Sequence, residues 1–391
     1  MTASKRCVFY RTQQISDESR FGSGVRPAKL LKAFRQLGYD VDVVAGSAAA
    51  RKRAMQVVKQ KASAGVEYDF LYAEPPTTPI PLNESHHLPT HPLLDYRFLG
   101  FCHSLEIPVV LFYCDIQWRL PDYPRRVGWW KYLAALPFFH LDLLVYRRVV
   151  DAWLVPDVAM LPQIASWLPS RPHWASIPGF DPLEVPPPRQ ARAPGAPLRL
   201  FYVGGVEPPV YDLEPVLEGS ALAASRGVKL ELTICCRELE WARHPEAYDR
   251  FLGPNVTVVH NRNRQELLEL YARHDVAVMP YGTLNSDWAM PVKFPEAIGM
   301  GLPLLAGSGT AVAKVVEAQG TGWSVGVSAE EFHDLVKRIG QDELEGARAA
   351  VQRVRPHYAW TERALEIAAI ADRLRAERDH RVSMSGGSSQ R

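Results

Sequence analysis

At 391 residues the chain is longer than a single ordinary core needs and suits two α/β domains joined by a linker. Lys plus Arg number 45 against 43 Asp plus Glu, so no global field of either sign recruits nucleic acid or a membrane, and any such contact must be local. Five scattered cysteines without CxxC spacing (Cys7, Cys102, Cys114, Cys235, Cys236), and an N-terminus with no apolar leader or small-residue cleavage site, point to reduced thiols in the cytoplasm.

Residues 5–10 and 41–45 are short apolar, β-branched runs, and between them Ala28–Leu37 has apolar positions at helical spacing. This is a βαβ unit. The alternation continues with Val66–Ala73 as a strand, Tyr96–Leu105 as a helix, Val109–Tyr113 as a strand, a helix through Asp142–Val150, and Ala152–Val155 as a strand. Such alternation implies a parallel sheet covered on both faces. Pro182–Pro197 then carries six prolines among Arg and Ala, a composition that cannot form an element interior and reads as a linker. Strands restart at Leu198–Val203, Lys229–Cys235, Val256–Val259, Val276–Met279 and Leu304–Ala306, predicting a second parallel sheet. Thr361–Arg375 reads as one long helix, and Met384–Arg391 as a polar Ser/Gly tail expected to be disordered.

The predicted fold is therefore α/β, with two Rossmann-like domains facing across a cleft. Its parts are an N-terminal domain over 1–181, the linker over 182–197, a C-terminal domain over 198–357, a C-terminal helix over 358–380 and a tail over 381–391. In such folds ligands bind outside the carboxyl ends of the strands, so the residues that follow each strand are the first candidates for a site.

Gly22 and Gly24 precede the first helix, where free backbone N–H groups and the helix dipole suit an anion or an acceptor group. A plain strand-to-helix turn is the other reading. The helix leads to Gly38-Tyr39-Asp40-Val41, and the whole segment resembles the opening of GT-B glycosyltransferases: a glycine loop, a helix and a "gly-his-x-val" turn, with Tyr39 where His is usual. Three later blocks sharpen the resemblance. Ile177-Pro178-Gly179-Phe180-Asp181 is similar to the family's "pro-asn-gly-val-asp" turn. Gln265–Tyr281 resembles its helix-strand-loop "glu-leu-x-x-leu-tyr … ala-asp-val-x-val-x-pro". Pro291–Leu305 resembles "lys-x-x-glu-ala-met-ala-x-gly-x-pro-val". The family is the large nucleotide-sugar-dependent group 1 glycosyl transferases. The resemblance implies a donor held by the C-terminal domain, an acceptor held by the N-terminal domain, and neither bound metal nor any cofactor beyond the nucleoside-diphosphate sugar.

Lys293 falls in the first turn of a predicted helix, where it can oppose a diphosphate, and Glu296 one turn on can accept hydrogen bonds from ribose hydroxyls, as the matching family Glu does. Helix-dipole pairing is the alternative for Glu296. Gly204 and Gly205 after the first C-terminal strand, and Tyr281 at the end of the second block, complete the expected donor contacts. Two departures stand out. Retaining members place a second Glu eight residues before the one matching Glu296, and here that position is Trp288, with Asp287 one residue off register. Members also carry Arg and Lys after the glycine turn, where this chain has Val206-Glu207-Pro208-Pro209; Arg237 is the candidate to supply the missing charge, a plain surface Arg the alternative.

Asp115, directly after strand Val109–Tyr113, is the candidate catalytic base of an inverting transfer, with a turn or cap role as the other reading. It resembles the Asp that xanthan-type glucuronosyltransferases, which also lack the paired Glu, place after this strand. Gln117, Trp118 and Tyr123 follow closely and could line an acceptor sugar. His86, His87 and His91 sit in a Pro-rich loop without a carboxylate partner, so solvation rather than zinc is expected. Cys235 and Cys236 alternate along a strand and read as packing thiols.

Arg125–Val150 is aromatic, apolar and flanked by arginines. Lys131, Pro137, His140 and Asp142 interrupt every window long enough to span a bilayer, which leaves an interfacial segment on anionic lipid or a buried crossover helix with only Trp129 and Trp130 exposed. The reading overall is a cytoplasmic transferase, peripheral at the inner membrane face if that segment docks. It would move a sugar from a nucleoside diphosphate to a saccharide or lipid-linked acceptor in cell-surface polysaccharide or glycoconjugate assembly, without nucleic acid. The alternatives are a sugar-nucleotide isomerase or epimerase on the same scaffold, and a catalytically silent binding subunit.

Overall fold

The computed structural model describes residues 5–16, 22–167, 172–189, 192–193, 195–207, 211–243, 248–279 and 287–386. The chain divides into two compact units, Met1–Ile177 together with Trp360–Arg391, and Pro178–Ala359. The division shifts the expected boundaries. Residues 182–197, read as a linker from their prolines, fall within the second unit, and the C-terminal helix is counted with the first.

The first unit holds strands β1 (Arg6–Tyr10), β2 (Asp40–Val44), β3 (Phe70–Ala73), β4 (Val109–Phe112), β5 (Ala152–Val155) and β6 (His173–Ala175). They pair in parallel in the order β2-β1-β3-β4-β5-β6. β3, β4 and β5 bury every residue, as strands covered on both faces must. The helices are α1 (Gly22–Gln36), α2 (Ala48–Ser63), α3 (Leu94–Ser104), α4 (Tyr123–Val127) and α5 (Trp129–Val149). After α1 comes Gly38, whose φ of +84° favours glycine, and the chain turns into β2 there. Tyr39, in the place of the usual His, packs edge-on against Phe34 and Phe70 at 5.9 and 5.4 Å and so belongs to the core.

The second unit repeats the design. Its strands β7 (Leu198–Val203), β8 (Leu230–Cys236), β9 (Val256–His260), β10 (Val276–Met279), β11 (Leu304–Gly307) and β12 (Gly322–Val325) run parallel in the order β12-β11-β10-β7-β8-β9. Its helices are α6 (Glu214–Ser225), α7 (Glu238–Trp241), α8 (Arg264–Arg273), α9 (Lys293–Gly299), α10 (Ala311–Gln319), α11 (Ala329–Arg338) and α12 (Gln341–Val354). The last helix, α13 (Trp360–Gly386), packs on α1 and β4 of the first unit.

In each sheet the first strand is flanked by later strands on both sides, so the strand order reverses beside it. The two switch points lie between β1 and β3 and between β7 and β10. Loops at the carboxyl ends of such strand pairs diverge and leave room for a ligand.

Several elements differ from the expectation. α2, β6 and β12 were not foreseen; α2 buries Arg51 on its inner face, where the guanidinium bonds Asp95 at 2.8 and 3.0 Å, so its sequence shows no clean apolar stripe. α1 starts at Gly22, which places Gly22 and Gly24 inside the helix instead of in a loop ahead of it. α13 continues through Gly386, so residues 381–386 are helical and not tail, while 387–391 lie outside the described residues.

Candidate functional site

In the second unit, Lys293 opens α9 and Glu296 follows one turn later on the same face. Lys293 Nζ donates to Glu296 Oε2 at 2.7 Å. Arg264, the first residue of α8, donates to Glu296 Oε1 through one guanidinium nitrogen and to Glu184 Oε2 through another. The Arg264 end of α8 is set by a capping box, in which Asn263 accepts from the Glu266 amide and Glu266 reaches back to the Asn263 amide at 2.8 Å. Glu296 is buried, with both carboxylate oxygens held by cations. Burial by itself raises its pKa, but the charges and hydrogen bonds of Lys293 and Arg264 outweigh this and hold the carboxyl down at about 2. It is ionised at every physiological pH.

α9 is positioned from behind by a close approach. A Cβ on Gly299 would meet the Phe180 ring at 2.2 Å, so only glycine lets the Ile177–Asp181 turn pack against this helix. Phe180 N in turn donates to Tyr358 O at 2.8 Å. Lys293 follows the loop after β10, and its charge is felt by the Cys235 thiol at the carboxyl end of β8, which burial pushes up and Lys293 draws down. These groups therefore gather at the carboxyl edge of the sheet.

Gly204 and Gly205 follow β7 at the second unit's switch point. A Cβ on Gly205 would meet the Tyr211 ring at 2.6 Å, and the Tyr202 hydroxyl donates to Gly205 O, so the turn is fixed by aromatic packing. Arg237 directly precedes α7, about half exposed, and its guanidinium pairs with Glu240. Glu240 was not foreseen. It is buried beside Gly205, and its Oε2 has no hydrogen-bond partner among the described residues. Tyr281 and the loop 280–286 lie outside the described residues.

In the first unit, Asp115 stands beyond the carboxyl end of β4. Its Oδ2 accepts from Thr77 Oγ1 at 2.5 Å and its Oδ1 from the Gln117 amide at 3.2 Å. Burial raises its pKa, and the hydrogen bonds from Thr77, the Gln117 amide and Cys114, with the charge of Arg126, only partly offset this. It makes no ion pair among the described residues. Glu74, directly after β3 at the switch point, is the contrasting case. It lies between Arg26 at 3.4 Å and Arg11 at 3.9 Å and accepts from the Tyr72 hydroxyl at 2.6 Å. Arg26 is held by Ser176 Oγ at 3.0 Å and lies over the Phe112 ring at 3.7 Å. Glu74, Arg11 and Arg26 went unnoticed in the sequence; the available signal was a charged residue following an apolar strand.

Trp118 does not offer a sugar platform. Its ring is buried and stacked on Phe139 with centroids 4.8 Å apart, and Nε1 donates to the Tyr113 hydroxyl at 3.2 Å, because the chain turns inward after Asp115. Gln117 stays partly exposed, with Oε1 accepting from Arg126 at 3.4 Å. Gly22 and Gly24 stand in the first turn of α1. His86 and His87 bond the backbone of their own loop, and His91 faces Thr90. Cys235 and Cys236 are buried in β8, Cys236 in the core cluster.

Residues 197–342 match the family described as glycosyl transferases group 1, a segment that contains Gly204, Gly205, Arg237, Arg264, Lys293 and Glu296. No curated protein matches the sequence. Among solved structures, sucrose-phosphate synthase from Thermosynechococcus elongatus superposes with a TM-score of 0.59 at 13% identity, over 95% of this chain and 100% of that one. Anabaena HepE in complex with UDP-glucose gives 0.60 at 12%, over 94% and 99%. α,α-Trehalose 6-phosphate synthase from Burkholderia multivorans gives 0.59 at 11%, over 96% and 100%. At such identities the likeness is one of fold. Residues 197–342 of the second unit thus match a group 1 glycosyl transferase domain, and the chain shares the GT-B fold of these structures.

Proposed function

We propose that the protein transfers a sugar from a nucleoside diphosphate to an acceptor hydroxyl, with the donor bound at the carboxyl edge of the second unit's sheet. The observation that carries this reading is Glu296: a buried carboxylate kept ionised between Lys293 and Arg264 at a strand-end edge, inside the segment that matches the family. Its carboxylate suits ribose hydroxyls, and Lys293 suits the diphosphate. Gly204 and Gly205 let the donor approach the backbone, Arg237 adds a cation beside them, and Tyr281 is a further proposed donor contact.

Asp115 is proposed as the base. It carries no ion pair among the described residues and its burial favours the protonated form, so it can take up a proton from the acceptor hydroxyl, whereas Glu74 is engaged by Arg11, Arg26 and the Tyr72 hydroxyl. Gly22, Gly24 and Gln117 are proposed acceptor contacts. The acceptor is a saccharide or lipid-linked saccharide of cell-surface polysaccharide or glycoconjugate assembly, met in the cytoplasm, and neither metal nor cofactor takes part. A thermal-shift screen over nucleoside diphosphates and nucleotide sugars tests the donor, since a ligand that binds only the folded protein stabilises it by RT ln(1 + [L]/Kd). Stabilisation by nucleoside diphosphates and by a nucleotide sugar, but not by free phosphate, is the expected result. Product analysis with and without acceptors then separates a transferase from an isomerase, and donor turnover separates it from a silent subunit.

A further inference from the structure

α5 is a single helix of 21 residues whose two faces are both apolar. The inner face buries Phe139, Leu143, Tyr146 and Val149 against the core of the first unit. The outer face should be polar if it met only water. Instead Trp130, Leu133, Ala134, Pro137 and Leu144 are exposed along it at helical spacing, Trp130 by 85% and Leu133 by 50%. No described helix is long and apolar enough to cross a membrane.

The charges on the segment share one sign. Arg125, Arg126, Lys131, Arg147 and Arg148 are all exposed; just ahead of the segment Asp122 pairs with Arg126 at 3.4 Å, and the one acid between residues 123 and 150, Asp142, is buried and bonded to the Ile80 amide at 3.1 Å. The chain as a whole is nearly neutral, so this segment is a local basic field around an apolar ridge.

From this we infer that the outer face of α5 docks on an anionic lipid surface, with the Trp130–Leu144 ridge in the headgroup boundary and the five cations at the phosphates. A ridge of apolar side chains with cations at both ends and no exposed acid along α5 itself complements a negatively charged interface, and the aromatic rings of Trp129 and Trp130 suit the boundary between headgroup and acyl chain. The proposal rests on the lipid-linked alternative for the acceptor only in its purpose; the docking itself is independent of donor chemistry.

The test is co-sedimentation of the full chain with vesicles of phosphatidylcholine containing about one third phosphatidylglycerol, against pure phosphatidylcholine vesicles, at low and high salt. Binding to the anionic vesicles that weakens as salt rises is expected, with little binding to the neutral ones. Trp130→Glu with Leu133→Glu should lower the partition by about tenfold or more, because a charged side chain replaces a ring and an aliphatic group that would enter the interface. Lys131→Glu with Arg147→Glu should lower it while leaving the ridge intact. All four positions are exposed, and unchanged melting temperatures show that the variants fold. Equal binding by wild type and the Trp130/Leu133 variant, no binding to either vesicle, or a dimer in solution that the same ridge substitutions dissolve would overturn the inference. A donor-binding assay on the ridge variant keeps this separate from the proposed function, because loss of docking with intact nucleotide binding affects only the membrane face.

Discussion

Lys293 Nζ and Glu296 Oε2 are 2.7 Å apart, so the two groups expected at opposite ends of a nucleotide are joined to each other. A diphosphate that takes Lys293 must draw it from Glu296, and Arg264 remains to keep Glu296 ionised. Lys293→Ala should therefore weaken a nucleoside diphosphate by about ten- to a hundredfold and a free nucleoside far less, since a hydrogen bond to a charged group contributes about 1.5–3 kcal/mol. Glu296→Ala should weaken both. Isothermal titration of each variant with each ligand checks this; equal losses on both ligands for Lys293→Ala would show that it does not meet phosphate.

Arg264 bonds Glu296 and Glu184 together, which makes it a positioning residue. Arg264→Gln should follow the pattern of Glu296→Ala and weaken nucleoside and diphosphate alike, by about fivefold, the worth of roughly 1 kcal/mol of lost orientation. Glu184→Gln should do the same more weakly. A loss confined to the diphosphate would instead put Arg264 on the phosphate itself.

What the sequence disclosed follows the range of each signal. β4, β5 and β10 were legible as continuous apolar runs because both faces of a parallel sheet are covered. Lys293 and Glu296 were placed in the first turns of a helix from the motif around them, but the ion pair between them was not read. Arg264 was not legible, since its partner Glu296 lies 32 residues away and a charged residue at a helix start looks like any surface Arg. α5 was read as a helix only from Asp142 onward, because a helix apolar on both faces carries no amphipathic period and Pro137 interrupts it. Trp118 misled for the same reason of range: nothing local to Asp115 shows that Phe139 waits to cover its ring.

Asp115→Asn should lower kcat by about 10²–10⁴-fold with donor affinity nearly unchanged, the usual contribution of a general base. Because burial raises the pKa of Asp115, kcat/KM of the wild type should fall on the acid side through a value above the ordinary carboxylate range. Thr77→Val removes a hydrogen bond that lowers this pKa, so it should move the acid limb to higher pH. The sugar in the product should be inverted at its anomeric carbon. A retained configuration, or an Asn variant of nearly full activity, would remove Asp115 from the role.

Asp142 anchors the buried face of α5. Its carboxylate accepts from the Ile80 amide at 3.1 Å and from the Tyr96 hydroxyl, yet burial outweighs both bonds and raises its pKa from 3.8 to about 7. The folded chain thus holds a proton between pH 3.8 and 7 that the unfolded chain has released. Stability from this group is full below pH 3.8, declines as pH rises through that window and is lost above 7. A shift of about three pKa units corresponds to an upper limit of about 4 kcal/mol. Asn fills the same space, accepts from Ile80 and donates to Tyr96 without titrating, so Asp142→Asn should remove this pH dependence. Urea unfolding of both proteins at pH 4.5, 6 and 7.5 should show the variant gaining on the wild type at each step. A stability difference that stays constant across the three pH values would mean that Asp142 does not titrate in this window.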